Sequence, residues 1–334
     1  MTTKPSLRFR LAAIPTGLPD ASTWRTSAEP PRAPGGNEVQ LAVRYISLDP
    51  AMAGWIQPVR SYSEPVRVGD VMRAFGIGEV VASTSEKYKP GDHVFAVTGV
   101  QTDVTLSAKG LRKLDPKIVP LPKYLGGLGM PGFTGYFGLT EIGKPKEGET
   151  VLVSAAAGAV GSVVCQVARI KGARVIAIAG GAEKCRYLRE ELGVEAVIDY
   201  KNEDVAAALE RLAPEGIDVY FDNVGGAILE AALARIRRHG RIVVCGGISQ
   251  YAALKNASGP ANYLQLVAQS ASMTGFTMLD FLQRVPEAGM QLGAWMMQGK
   301  LKTREHVIDG IERFPEALAM IFAGENHGKL MLRV

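Results

Sequence analysis

The stretch Val151-Leu152-Val153-Ser154-Ala155-Ala156-Ala157-Gly158-Ala159-Val160-Gly161-Ser162 decides the fold. An apolar strand runs into a small-residue turn, and an apolar helical segment, Val160–Ile170, follows. This is the dinucleotide fingerprint with Ala156 in the first glycine slot. Gly158 lets the backbone approach a pyrophosphate, and Gly161 lets the helix pack close to the strand. The helix N-terminus then offers N–H groups and a positive dipole to phosphates. A glycine motif alone is weak. Here a strand precedes it, a helix follows it, and a second strand comes at the expected distance. The bland alternative is a tightly packed strand–helix turn that binds nothing.

Outward from this motif the chain alternates. Strands are expected at Val151–Val153, Arg174–Ala179, Ala196–Ile198, Asp218–Phe221 and Arg241–Cys245. Helices are expected at Val160–Ile170, Glu183–Leu192, Val205–Leu212 and Ala227–Ile236. Such alternation means βαβ units and a parallel sheet, hence an α/β Rossmann fold, doubly wound. The stretch Thr150–Ala168 carries no charge, and its length alone would flag a membrane span. Its Gly, Ala and Ser content fits a buried strand, turn and helix better. The first third reads as β-rich. Glu38–Ser47 alternates in period two, and Gly78–Ser83 and Asp92–Thr98 are Val-rich runs. Lys89-Pro90-Gly91-Asp92 is a turn in which Pro fixes φ and Gly admits positive φ. The last residues read as a helix near Pro315–Phe322 and a strand at Lys329–Val334, returning to the first domain. The expected division is 1–128 with 303–334 as one domain and 129–302 as the Rossmann domain.

Composition narrows the class. With 334 residues and 47% hydrophobic content, the chain can bury two cores and is not disordered. The net charge of +5 is spread thinly, with no Lys/Arg run that would mark a nucleic-acid partner. The three cysteines, Cys165, Cys185 and Cys245, are too few and too scattered for a disulfide framework, which suits a cytoplasmic setting. Met1–Arg10 has no apolar run and does not read as a secretory signal.

The second strand bears on the cofactor. NAD-binding chains usually end it with an acid for the ribose hydroxyls. Here it ends Ala179-Gly180-Gly181-Ala182, and Lys184 follows at a helix start. A cation there opposes the helix dipole unless it meets an anion, and the 2′-phosphate of NADP would be that anion. The alternative is a solvated lysine beside Glu183, which itself lies near where an NAD-type acid could sit.

Several segments resemble the zinc-free medium-chain dehydrogenase/reductases. They are Met130–Leu139, Ala155–Ser162, Asp218–Gly226, Cys245–Tyr251 and Glu325-Asn326-His327-Gly328-Lys329. The likeness is greatest to the branch of prostaglandin reductases, leukotriene B4 dehydrogenases and alkenal double-bond reductases, including bacterial curcumin reductase-like enzymes. The resemblance implies a β-rich GroES-like catalytic domain beside the Rossmann domain, often in a homodimer. It implies NADP(H) as cofactor and reduction of the C=C bond of a small α,β-unsaturated ketone or aldehyde. By the same resemblance, Ala159, Val160, Gly161 and Ser162 face the pyrophosphate. Lys184 and Tyr200 reach the 2′-phosphate, and Asn223 lies by the cofactor. Cys245, Gly246, Gly247, Ile248, Ser249 and Tyr251, with Phe276, Thr277 and Met278, line the nicotinamide end, and Asn326 closes it. The chain departs from the pattern at Ala51 and Ala53, where Tyr and Arg are common, and at Val100. These changes leave the substrate open, and Ala51 and Ala53 predict a roomier pocket.

Hydride attack at the β-carbon of an enone leaves negative charge on the carbonyl oxygen, which needs a hydrogen-bond donor or a metal. The four histidines (His93, His239, His306, His327) and three cysteines have no ligand spacing, so no metal is expected. Tyr251 is the candidate donor, the alternative being a loop tyrosine that only packs on the cofactor. Tyr62 either reaches the substrate pocket or sits at its rim. Cys185 sits at a helix start, where a thiolate would be favoured, yet nothing nearby suggests a nucleophile. A quinone reductase of the same superfamily and a non-catalytic NADPH-binding protein are the competing readings. Activity should survive exhaustive chelation, with no stoichiometric zinc by elemental analysis; a bound zinc whose removal abolishes turnover would overturn this expectation.

Overall fold

The computed structural model describes residues 6–334, so residues 1–5 of the Met1–Arg10 stretch lie outside the described residues. The chain forms two compact units, residues 6–125 with 305–334 and residues 126–304. The changeovers differ by two or three residues from the boundaries expected above.

In the first unit, β1 (Ser6–Leu11) and β2 (Trp24–Glu29) form an antiparallel pair. β3 (Glu38–Ser47) is the longest strand, and its buried residues Val39, Leu41 and Val43 alternate as the period-two pattern requires. After the short helix α1 (Ala51–Trp55) come β4 (Phe75–Ser83), β5 (His93–Val97), β6 (Asp103–Ser107) and β7 (Arg112–Leu114). The Lys89–Asp92 turn is present, with Gly91 at φ 90° and the Asp92 N–H donating to the Lys89 carbonyl at 3.1 Å.

The second unit opens with α2 (Met130–Phe137), which runs into a π-turn at Gly138–Gly143. The alternating part is β8 (Thr150–Val153), α3 (Gly161–Ile170), β9 (Arg174–Ala179), α4 (Ala182–Arg186), β10 (Ala196–Asp199), α5 (Val205–Leu212), β11 (Ile217–Asp222), α6 (Gly226–Ala234) and β12 (Ile236–Val244). α7 (Gln265–Ala268), β13 (Ser272–Gly275) and α8 (Val285–Met297) complete it. The six strands are parallel in the order β10-β9-β8-β11-β12-β13, the doubly wound Rossmann arrangement. Leu152, Ile176, Ile178, Ile198 and Ile242 pack with Leu209 and Leu233 from α5 and α6. Each such burial contributes about 1.5–3 kcal/mol. Among the described residues, no helix is long and apolar enough to cross a membrane; Thr150–Ala168 is divided between β8, a turn and α3.

In the Rossmann sheet, two differences from the sequence-based expectation stand out. The helix expected to reach Ile236 stops at Ala234, because Ile236 already pairs with Ile217 to open β12. The charged run Arg237–His239 then makes an irregularity in that strand, with His239 at φ 61°, which hides it from an apolar pattern. β13 was not expected at all. It is an edge strand, exposed along its whole length, so no burial selects apolar residues there.

The chain returns to the first unit through β14 (Glu305–Asp309), α9 (Phe314–Ala323) and β15 (Lys329–Arg333). The sheet there runs β14-β15-β3-β4-β5-β7, with β6 on β3. Lys329 is 3% exposed. Its ammonium donates to the Leu48 carbonyl at 2.6 Å and to Asp49 at 2.8 Å. Burial lowers its pKa, and Asp49 works against that. Removing one partner of a buried ion pair is far costlier than replacing both. Lys329→Met should therefore lower unfolding free energy by about 3 kcal/mol, read by urea denaturation; an unchanged midpoint would show that the pair is neutral.

Candidate cofactor and catalytic site

Every expected cofactor residue of the second unit sits at the carboxyl end of one of its parallel strands. Gly158–Ser162 follow β8, Gly180 and Lys184 follow β9, Tyr200 follows β10, and Asn223 follows β11. Cys245–Tyr251 follow β12, and Phe276–Met278 follow β13. In a doubly wound sheet this edge is where ligands bind.

The fingerprint turn explains its own sequence. The positive φ falls on Ala155, at 48°, so Ala156 can stand in the first glycine slot, fully buried. Gly161 is required: a Cβ there would lie 2.5 Å from the Ala155 carbonyl oxygen and 2.7 Å from the Ala156 Cα. At Gly158 a Cβ would meet only that carbonyl oxygen, at 3.1 Å. The cradle that brings α3 against β8 thus depends on Gly161 more than on Gly158. α3 starts at Gly161, so the Ala159, Val160 and Gly161 amides have no partner in the helical ladder. These features fit a pyrophosphate.

At the centre of the edge, Asn223 bridges β11 to β8. Its backbone N–H donates to Ser154 Oγ at 2.9 Å, and its Nδ2 donates to the Ser154 carbonyl at 2.7 Å. Buried Asp222 accepts from the Tyr220 hydroxyl at 2.7 Å and from the Val224 and Gly225 N–H groups, each at 2.9 Å. Burial, with the Asp222 charge beside it, pushes the Tyr220 phenol well above its usual value, so it stays a donor. The segment after β12 hangs on this turn. Cys245 and Gly246 N–H donate to the Asp222 carbonyl, Ile248 N–H to Asn223 and Ser249 N–H to Val224. Tyr251 folds back over it, its hydroxyl 3.4 Å from where a Gly246 Cβ would stand. Ser154, Asp222 and Tyr220 were not singled out in the sequence; a polar residue directly after each of two central apolar strands was the available signal.

Not every expected residue offers its side chain. The Phe276 ring packs on Gly138 and Phe221, the Thr277 hydroxyl caps the turn at Leu279, and Met278 is buried. What this segment presents is backbone. Burial, then Asp222, pushes the Cys245 thiol up to about 12. Cys185 is buried, and burial with Asp199 raises its thiol, the opposite of the thiolate that a helix start would favour. Lys184 is half-buried and Tyr200 exposed, its ring against Gly180.

The remaining candidates lie on the first unit. Ala51 begins α1 and is partly exposed. Ala53 is 2% exposed and belongs to the core, so it opens no pocket, contrary to expectation. Tyr62 is exposed and accepts a hydrogen bond from Trp55 Nε1 at 3.1 Å. Asn326 donates to the Gly328 carbonyl at 2.9 Å. Among the described residues no three His, Cys, Asp or Glu side chains gather as metal ligands would.

A Rossmann sheet with this edge, together with a separate β-rich unit, defines a medium-chain dehydrogenase/reductase, and the chain belongs to that superfamily. Residues 8–114 match the family described as N-terminal domain of oxidoreductase, and residues 159–294 match the one described as zinc-binding dehydrogenase. The branch is that of the curcumin, alkenal and prostaglandin reductases. The chain is 39% identical to the NADPH-dependent curcumin reductase of Escherichia coli (strain K12) over 332 residues, 98% of this chain and 96% of that one. It is 39% identical to the NADP(+)-dependent 2-alkenal reductase of Nicotiana tabacum, over 90% of this chain and 88% of that one. Its fold superposes on Vibrio vulnificus CurA in complex with NADPH with a TM-score of 0.93, at 38% identity, covering 98% of this chain and 99% of that one.

Gly161→Ala should overpack the turn and cost about 1–3 kcal/mol. Calorimetry should show a lower melting temperature, and the KM for the nicotinamide cofactor should rise at least severalfold. A variant with unchanged KM would mean that the close approach of α3 to β8 does not shape the site.

Proposed function

We propose that this chain is an NADPH-dependent reductase of the C=C bond of α,β-unsaturated ketones and aldehydes. The observation that carries the catalytic assignment is Tyr251, whose hydroxyl reaches back over Gly246 beside the Asn223 turn. Bound NADPH supplies a hydride for the β-carbon. Tyr251 donates to the carbonyl oxygen, directly or through the cofactor's ribose hydroxyl and a water, as enolate charge develops there. The α-carbon of the enolate then takes a proton from water, and the carbonyl is restored. Ala159–Ser162 receive the pyrophosphate, Lys184 and Tyr200 the 2′-phosphate, and the 245–249 and 276–278 segments the nicotinamide end, the latter through backbone. No metal is assigned to the oxyanion, since among the described residues the His and Cys side chains form no ligand group. Ala51 and Tyr62 are assigned to the substrate and Asn326 to the cofactor's reactive end.

We also assign a homodimer. β13 ends the Rossmann sheet with its outer edge unpaired and every residue exposed. Tyr263, Leu264, Val267, Leu279 and Leu282, in the segments flanking it, are exposed apolar side chains. An unpaired edge flanked by exposed apolar side chains is a face that proteins cover. Light scattering should return the mass of two chains. The three cysteines are free thiols, which suits the cytoplasm.

Two measurements test the chemistry. NADPH should be preferred to NADH by about tenfold or more, since a charge-assisted contact is worth roughly 1.5–3 kcal/mol; Lys184→Ala should raise the KM for NADPH and barely move that for NADH. Tyr251→Phe should lower kcat on an enone roughly 10²–10³-fold with NADPH affinity within a few-fold. The product should keep its carbonyl. Full kcat in Tyr251→Phe would reduce the tyrosine to packing, and turnover of quinones but no enone would refute the substrate class.

A further inference from the structure

The loop after β9 and the turn after β10 are held together by one carboxylate. Gly181 adopts φ 94°, a conformation that L side chains rarely take. Its N–H donates to Asp199 Oδ1 at 2.8 Å. The Lys201 N–H reaches the same oxygen at 3.1 Å, and Asn202 Nδ2 donates to Asp199 Oδ2 at 2.8 Å. The Tyr200 N–H closes the other side on the Ala179 carbonyl at 3.1 Å. The Tyr200 ring covers Gly180 so closely that a Cβ there would lie 2.7–2.9 Å from it.

Asp199 is therefore no ribose-binding acid of the NAD type. Both its oxygens are engaged by this loop and turn. Burial would raise its pKa, and the Gly181, Asn202 and Lys201 donors outweigh that, leaving it below the usual carboxylate value. Around it stand exposed Tyr200, exposed Lys201 and half-buried Lys184. Burial, then the charge of Lys201, lowers the Lys184 pKa, and Glu183 works against that, so the two ammonium groups repel each other. Like charges held together in this way are relieved by an anion placed between them.

We propose that Asp199 is a positioning residue that assembles the 2′-phosphate pocket, and that Lys201 is its second cation beside Lys184. This rests on the NADPH reading above. The proposal has a signature that simple electrostatics reverses. Removing a negative charge beside a phosphate site should tighten phosphate binding. Removing the group that sets the loop should weaken it.

Calorimetric titration of the protein without cofactor tests this, with adenosine 2′,5′-bisphosphate and AMP as probes. Their affinity ratio on one sample does not depend on the active fraction. Lys201→Ala should weaken bisphosphate binding about tenfold, as expected for one charge-assisted contact, with AMP within about twofold. Asp199→Ala and the milder Asp199→Asn should weaken the bisphosphate more than AMP, and should lower NADPH-over-NADH selectivity in kcat/KM. Bisphosphate binding kept or tightened in both Asp199 variants would overturn the positioning role, as would equal losses of both probes. Unchanged bisphosphate affinity in Lys201→Ala would remove it from the pocket. A wild-type protein that does not distinguish the two probes would sink the NADPH reading itself, an outcome separate from either variant result.

Discussion

The bridge between Ser154 and Asn223 is the constraint on which the rest of the site depends. β8 and β11 are neighbours in the sheet but not in sequence. The strand order reverses there, and the crevice that forms at such a switch point is the ligand site of doubly wound folds. A crevice lined by loose strand ends would give a ligand no fixed geometry. Ser154, fully buried, prevents that. Its hydroxyl accepts from Asn223 and lies within 3.3 Å of the Asp222 carboxylate, so each central strand satisfies polar groups of the other. Buried polar groups that are fully partnered specify one arrangement, because any other leaves a group unsatisfied at about 1–3 kcal/mol.

Asp222 extends the same logic. A buried carboxylate is costly unless its charge is met by donors. Here the donors are the Tyr220 phenol, the Ser154 hydroxyl and two backbone N–H groups, not a cation. The turn after β11 is shaped with no positive side chain spent at the centre of the edge. The cations assigned to phosphate stand at its far end, beyond β9 and β10. A phosphorylated dinucleotide carries its 2′-phosphate at the end remote from its reactive ring. The cations Lys184 and Lys201 likewise stand at one end of the edge.

Much of this was legible in the sequence. The strands β8 to β11 read directly, because buried parallel strands are unbroken apolar runs. The glycine turn read correctly as a motif, though not in the division of labour between Gly158 and Gly161, which needs the 2.5 Å approach to Ala155 to be seen. Edge strand β13 was invisible because Ser272-Met273-Thr274-Gly275 carries no pattern that burial would impose. Which residues fall at the strand ends was legible; the use of their side chains was not. Phe276 and Thr277 fall at the right strand end yet turn their side chains to packing and capping. Asp199 looked like nothing in particular, because its role lies in two backbone N–H groups that share one of its oxygens.

The departures in the first unit follow the same distinction. Ala51 and Ala53 look alike in sequence, each a small residue where a large one is common. α1 separates them: two positions apart on a short helix they point in different directions, and Ala53 enters the core while Ala51 stays at the surface. Any room gained belongs to Ala51 alone. Its place is set by Asp49 two residues earlier, which is fixed by the buried Lys329 ammonium at the end of the turn that carries Asn326. A small side chain on a pinned backbone leaves a space of defined shape, whereas the same alanine on a mobile loop would leave none, since the loop would settle into it. The Lys329–Asp49 ion pair thus fixes the backbone at the start of α1, where Ala51 is partly exposed and Ala53 is buried.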